Sequence, residues 1–254
     1  MQMGIGRLFH LDLPKLLSAI RYLSSKSRVR SRGLSFQLLS DNWITKFRAR
    51  TFNDKEPEML DWLDENLQDG DVFFDVGANI GVYSIYAALR KPKAIVCAFE
   101  PEYSNLHQLK QNILENTLTR NISPFSIALD DKTGISQLHI QDTTPGAAKH
   151  TVSTHDLANT HTGEEVVWKE GVATMTLDEF IKLSGIKPNI IKIDVDGTEK
   201  AILKGGQKTF SSLDLRSVYI EMDKDQIECE DILTNYGFEL IGMPSNKQIW
   251  SRSA

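Results

Sequence analysis

DVFFDVGANIGVYSIYAALR, residues 71–90, decides how the rest of the chain is read. Its first six residues are nearly continuous in apolar character, as suits a parallel strand covered on both faces. Over 80–89, Ile80, Tyr83, Ile85 and Ala88 recur at spacings that fit a helix. Between them lies DVGANIG at 75–81, where glycines let the backbone turn tightly and approach a ligand with no Cβ in the way. Gly77 and Gly81 are therefore expected to line a ligand pocket.

Outward from this unit the same alternation continues. AIVCAF at 94–99 reads as a second buried strand, and Leu106, Leu109 and Ile113 recur at helical spacing. NISPFSIAL at 121–129 reads as a third strand, weakened by Pro124, and ISQLHI at 135–140 as an extra strand after the turn DDKTG. Thr176 with Glu179 gives a capping-box signature ahead of Leu177, Phe180 and Ile181. IIKIDV at 190–195 is a fourth buried strand, 199–210 a helix, SVYIEM at 217–222 a fifth strand, and YGFELIGMPSNKQIW at 236–250 two strands joined at PSNK. Repeated strand–helix units predict an α/β fold: a doubly wound, Rossmann-like, mostly parallel seven-stranded sheet with a C-terminal antiparallel hairpin. The stretch 142–169 is rich in Thr, His, Gly and Asp without periodicity, and is predicted to be a long loop serving as a substrate lid.

The 254 residues, 41% hydrophobic and 25% charged, suffice for one large α/β domain. The alternating pattern begins near residue 57, which predicts a domain over 57–254 preceded by a basic N-terminal extension over 1–56. Residues 1–50 hold ten Lys and Arg against two Asp and Glu. The basic run SSKSRVRSRG, with LDLPKLLSAIRYL before it as a short amphipathic helix, is expected to be a solvated extension able to make weak contact with an anionic membrane. Cys97 and Cys229 stand far apart, no run of about 18 apolar residues exists, and the N-terminus lacks the pattern of a cleaved leader, so a cytoplasmic protein is expected.

Glu100 ends the second strand nineteen positions after Gly81, where a carboxylate can accept both hydroxyl protons of a ribose. DVGANIG is not GxGxxG, so a cofactor without a pyrophosphate is favoured over a dinucleotide. Asp194, Asp196 and Glu199 follow the fourth strand at the edge where doubly wound folds bind ligands, and any of them could take a proton from an acceptor. Asp196 and Glu199 equally suit the N-terminus of the next helix. Asp194, Asp196, Glu221 and Asp223 form an oxygen-rich set of the kind that holds magnesium or calcium, but such carboxylates also line metal-free sites and no metal is assigned. A histidine among His150, His155 and His161 in the loop could act as a base or touch substrate, but surface histidines are the favoured reading.

DVGANIGVYS, AFEP and IKIDVDGTEKAILKGG, in this order and spacing, resemble the class I S-adenosylmethionine methyltransferases, and more narrowly the FkbM family, over about residues 70–245. The resemblance implies that S-adenosylmethionine is the cofactor, held by Asp75, Gly77, Asn79, Gly81 and Glu100, with Ser126 and Ile127 near the adenine. It also implies methyl transfer to a hydroxyl of a sugar, glycan or secondary metabolite. The family's DVEG stands here as DVDG, with Asp196 in place of the longer Glu. Positive charge on the sulfonium vanishes during transfer, so acidic groups should grip ribose and methionine amine rather than sulfur, and Asp75, Glu100 and Asp194 are placed for that. No DPPY-like segment follows the fourth strand, so a nucleic-acid acceptor is not expected. The competing readings are a nicotinamide-dependent oxidoreductase and a non-catalytic binding module docking through the basic N-terminus.

Overall fold

The computed structural model describes Pro14 and residues 25–252, apart from 156, 161, 162, 223–225 and 245. Along the chain run β1 (Lys26–Ser31), β2 (Leu34–Leu39), α1 (Trp43–Arg50), α2 (Pro57–Asn66), β3 (Val72–Val76), α3 (Val82–Arg90), β4 (Ile95–Phe99), α4 (Tyr103–Glu115) and β5 (Ile122–Phe125). There follow β6 (Ala128–Leu129), β7 (Gly134–Ile140), β8 (Thr151–Ser153), β9 (Trp168–Met175), α5 (Leu177–Ser184), β10 (Ile190–Ile193), α6 (Glu199–Gly205), α7 (Gln207–Phe210), β11 (Ser217–Glu221), α8 (Gln226–Asn235), β12 (Glu239–Gly242) and β13 (Lys247–Ser251).

Seven strands form the main sheet in the order β12-β13-β11-β10-β3-β4-β5. The five from β11 to β5 are parallel, and β13 runs antiparallel to both β11 and β12. Alternate side chains of each strand feed opposite layers. Phe73, Val96, Ala98, Ile190 and Tyr219 pack with α2, α3, α4 and the β1–β2 pair. Phe74, Cys97, Phe99, Ile191 and Val218 pack with α5 to α8. Burial on both faces is why these strands are apolar at successive positions. The chain leaves β3 toward β4 on one side, while β10 closes on β3 from the other. The crevice at this switch point, above the carboxyl ends of β3 and β10, is where such sheets bind ligands.

Residues 25–56 share the main core. Val29, Phe36, Leu38, Ala49 and Phe52 are buried in the same cluster as Phe73 and Ile85. Within SSKSRVRSRG, Lys26–Ser31 forms β1 rather than a solvated charge run: Arg28 and Arg30 face out while Val29 and Ser31 face in. Arg32 bonds Asp64 at 3.0 Å, and Asp64 also takes Arg90 Nε at 2.8 Å and the Tyr86 hydroxyl at 2.7 Å, so the hairpin is tied to α2 and α3. The helix expected over 11–23 lies outside the described residues, Pro14 apart.

Three other expectations change. The third strand is not continuous: β5 belongs to the main sheet, and after a break at Ser126 and Ile127, β6 joins a second, four-stranded sheet of order β6-β9-β7-β8. The 142–169 stretch is not a single long loop, because β8 and the start of β9 lie within it, paired to β7. The helix expected over 199–210 breaks at Gly206, where a Cβ would stand 2.6 Å from the Phe210 ring. Among the described residues no helix is long and apolar enough to cross a membrane.

Candidate active site

The turn after β3 is built for close approach. Gly77 has φ +76°, and a Cβ there would lie 2.0 Å from the Asp194 carbonyl oxygen, so only glycine lets this turn pass against the end of β10. The Gly77 and Ala78 amides both donate to the Phe99 carbonyl at 3.0 Å, hooking the turn onto the end of β4. Glu100 follows there, 5% exposed. Its carboxylate accepts from the Asn79 amide at 2.7 Å and from the Glu102 amide at 2.9 Å. Burial pushes the Glu100 carboxyl up to about 7, against the pull of those two amides.

Beneath the turn lies a buried lysine. Lys192, from the middle of β10, is 1% exposed and reaches Asp75 at 3.1 Å, Asp194 at 3.3 Å and the Gly77 carbonyl at 3.2 Å. Burial alone would lower the Lys192 pKa, but Asp194 and Asp75 outweigh it and raise it above the ordinary range. Burial would likewise raise Asp194, yet the Lys192 ammonium and a hydrogen bond from Glu221 hold it at about 2. Glu221, beside it at the end of β11, is pushed up to about 7 by burial and by the Asp194 charge. Asn246 donates to Glu221 at 2.7 Å, Lys247 stands 3.7 Å from Glu221 and 3.4 Å from Glu56, and the Tyr83 hydroxyl donates to Glu56 at 2.5 Å.

The far side of the cleft is a strap at residues 145–149, in which every residue has a backbone atom hydrogen-bonded to the rest of the fold. The Pro145 carbonyl takes Asn42 Nδ2 at 3.0 Å, and the Gly146 amide donates to Asn105 Oδ1 at 2.7 Å while its carbonyl takes Arg48 Nε at 2.7 Å. The Ala147 carbonyl takes Asn79 Nδ2 at 2.7 Å, the Ala148 carbonyl takes Gln141 Nε2 at 2.9 Å, and the Lys149 amide donates to Asp196 Oδ2 at 2.5 Å. The strap leads into His150, which borders the cleft with Phe99, Ile127, Leu138 and Val152.

A family model for the methyltransferase FkbM domain matches residues 75–240, the stretch that carries the glycine turn, Glu100 and Asp194. The chain belongs to the FkbM methyltransferase family. Among proteins similar to it are the hexuronic acid methyltransferase AglP of Haloferax volcanii, 28% identical over 70% of this chain and 68% of that protein, and the 31-O-demethyl-FK506 methyltransferase FkbM of Streptomyces tacrolimicus, 31% identical over 55% of this chain and 60% of the relative. A crystal structure of methyltransferase FkbM from Methylobacillus flagellatus KT shares the fold at TM-score 0.51 and 17% identity, over 73% of this chain and 44% of that one.

Of the residues singled out in this FkbM-family sequence, Gly77, Asn79, Glu100, Ile127, Asp194 and Asp196 come together around one cleft. Gly81 does not line it; it caps α3 with φ +83°, and a Cβ there would lie 2.2 Å from Leu109 Cδ1, so this glycine serves helix packing. Asp75 is sealed beneath the turn, bonded to Lys192 and to the Ser84 hydroxyl at 2.6 Å. Ser126 is exposed outside the cleft. Glu199 is buried and turned back to the Gly197 amide at 3.2 Å, which fits the helix-terminus reading. Asp223 and His161 lie outside the described residues, and among those described no three His, Cys, Asp or Glu side chains converge to hold a metal. His155 is exposed and His150 is half-buried. Lys192 escaped the sequence reading although a charge inside an otherwise apolar strand is a signal; Glu56, Tyr83 and Lys247 gave none.

Proposed function

We propose that this protein transfers a methyl group from S-adenosylmethionine to an oxygen of a small-molecule or sugar acceptor. The observation that carries the reading is the pairing of a Cβ-free turn at Gly77 with the buried Glu100 carboxylate on the neighbouring strand. The donor set fits an adenosine cofactor: a carboxylate for ribose hydroxyls, glycine backbone for close approach, and apolar Phe99, Ile127 and Leu138 for a purine face. When bound, S-adenosylmethionine supplies the electrophilic methyl group. The names of the relatives, one a hexuronic acid methyltransferase and the other a 31-O-demethyl-FK506 methyltransferase, support a sugar or metabolite oxygen as the acceptor.

The chain's own part is to bind, orient and handle one proton. Glu100 grips ribose, and Asp194, kept ionised by Lys192, offers its charge at the other end of the cleft. The acceptor's proton is taken by the Asp194–Glu221 pair, which holds a proton at Glu221 below about pH 7 and is free to accept one above it. Asp196 acts through the strap and Glu199 through the α6 terminus. Calorimetric titration with S-adenosylmethionine, S-adenosylhomocysteine and NAD tests the reading: micromolar binding of the two sulfur compounds and none of NAD is expected. NAD binding with no sulfur compound bound would replace it by an oxidoreductase.

A further inference from the structure

One helix of this fold turns a face that is both aromatic and cationic to solvent. Along α1, Trp43, Lys46, Phe47 and Arg50 are exposed while Thr45 and Ala49 are buried. Their spacing of three, four and seven residues puts the four exposed side chains in one stripe. Trp43 is 72% exposed and Phe47 51%, and because they stand one turn apart they make a patch rather than scattered surface apolar groups. α1 contains no acidic residue, and the acid nearest in sequence, Asp41, precedes its N-cap. Among the described residues neither Lys46 nor Arg50 has an ion-pair partner. Aromatic rings beside lysine and arginine on one helix face suit the boundary of a lipid bilayer, where the rings enter and the cations stay with anionic headgroups.

Charge selects among the things that could cover this face. A second copy docked face to face would set Lys46 and Arg50 against the same cations. Residues 1–24 hold three Lys and Arg against one Asp, so they do not complement the stripe either. The chain beyond residue 50 holds thirty-two acidic residues against nineteen basic ones. An anionic surface therefore repels most of the molecule and attracts this part of it, which orients the approach. We propose that α1 docks the protein on an anionic lipid membrane through Trp43, Lys46, Phe47 and Arg50. The other side of the same helix holds the cleft: Asn42 Nδ2 donates to the Pro145 carbonyl at 3.0 Å and Arg48 Nε to the Gly146 carbonyl at 2.7 Å. A docked α1 keeps the strap, and with it one wall of the cleft, about 10 Å from the headgroups, one helix diameter. The proposal is independent of the methyltransferase reading.

The test sediments the full chain with vesicles of phosphatidylcholine alone and of phosphatidylcholine mixed with phosphatidylglycerol. Wild type should bind the anionic vesicles about tenfold or more tightly than the neutral ones, and lose that preference as salt rises from about 0.05 M to about 0.5 M. Two paired variants, Trp43→Ala with Phe47→Ala and Lys46→Gln with Arg50→Gln, should each weaken binding to anionic vesicles by about tenfold or more. All four side chains are exposed, so the melting curves should match that of wild type; if one pair misfolds, the other decides. Failure of wild type to bind anionic vesicles overturns the proposal. Undiminished binding by either folded pair also overturns it and moves the contact to another part of the chain, such as residues 1–24. A wild-type dimer that Trp43→Ala with Phe47→Ala dissociates, with no vesicle binding, overturns it in favour of a second copy on this face.

Discussion

Glu100 and Asp194 stand at the carboxyl ends of β4 and β10, with β3 between them, and yet their pKa values are pushed in opposite directions. Glu100 is pushed up to about 7, while Asp194 is held at about 2. The difference lies in what each carboxylate faces. Glu100 has two backbone amides, which are dipoles, and they do not offset the loss of water. Asp194 has a full ammonium 3.3 Å away and keeps a third of its side chain exposed. One end of the cleft therefore stores an unfavourable charge that a ligand hydroxyl can relieve, and the other presents a permanent one.

The largest test of this contrast removes the ammonium. Lys192→Met leaves Asp75 buried with no opposite charge and should destabilise the fold by about 3–5 kcal/mol in a denaturant titration. A midpoint within error of wild type would mean that Asp75 does not need a cation, and the contrast would fail. The next test concerns Glu100. Its folded pKa lies above the ordinary carboxylate value, so its contribution to stability is full below about pH 4.5 and is lost as pH rises through 7. Glu100→Gln removes that dependence. The stability of wild type relative to the variant should fall by about 3 kcal/mol between pH 4.5 and 8.5, whatever constant cost the substitution brings. Parallel curves for the two proteins would show that Glu100 titrates in the usual range. The smallest test uses Asp196, whose carboxylate accepts from the Lys149 amide. Asp196→Ala should cost about 0.5–1.5 kcal/mol, read as faster hydrogen exchange at the Lys149 amide with the global melt nearly unchanged. Unchanged exchange there would remove Asp196 from the strap.

The main sheet was legible because parallel strands buried on both faces leave nearly continuous apolar runs, as in AIVCAF and in IIKI, which only Lys192 interrupts. The second sheet was hidden because β9 is half-exposed: in WKEGVATM only Val172 and Thr174 are buried, too few to stand out from a loop. β1 was hidden differently, since Arg28 and Arg30 on its outer face mimic a charge run. At the site, Gly77 and Glu100 could be read because their meaning is local to a strand end. The strap could not, because Ala147 meets Asn79 across 68 positions, and no spacing rule connects them. Gly81 misled for the same reason: the atom that forbids a side chain there belongs to Leu109 on the next helix.

The strap also fixes where this chain can grow. With each of the residues 145–149 tied through its backbone to α1, α4, the glycine turn, the end of β10 or Gln141, the segment has no slack. One inserted residue there would break the register of the anchors and swing His150 off the cleft. The stretch between β8 and β9 is exposed at His155, Ala158, Asn159 and Gly163 and can absorb added length at the cost of a longer loop alone. Variation in loop length should therefore be tolerated a few residues after the strap and refused within it.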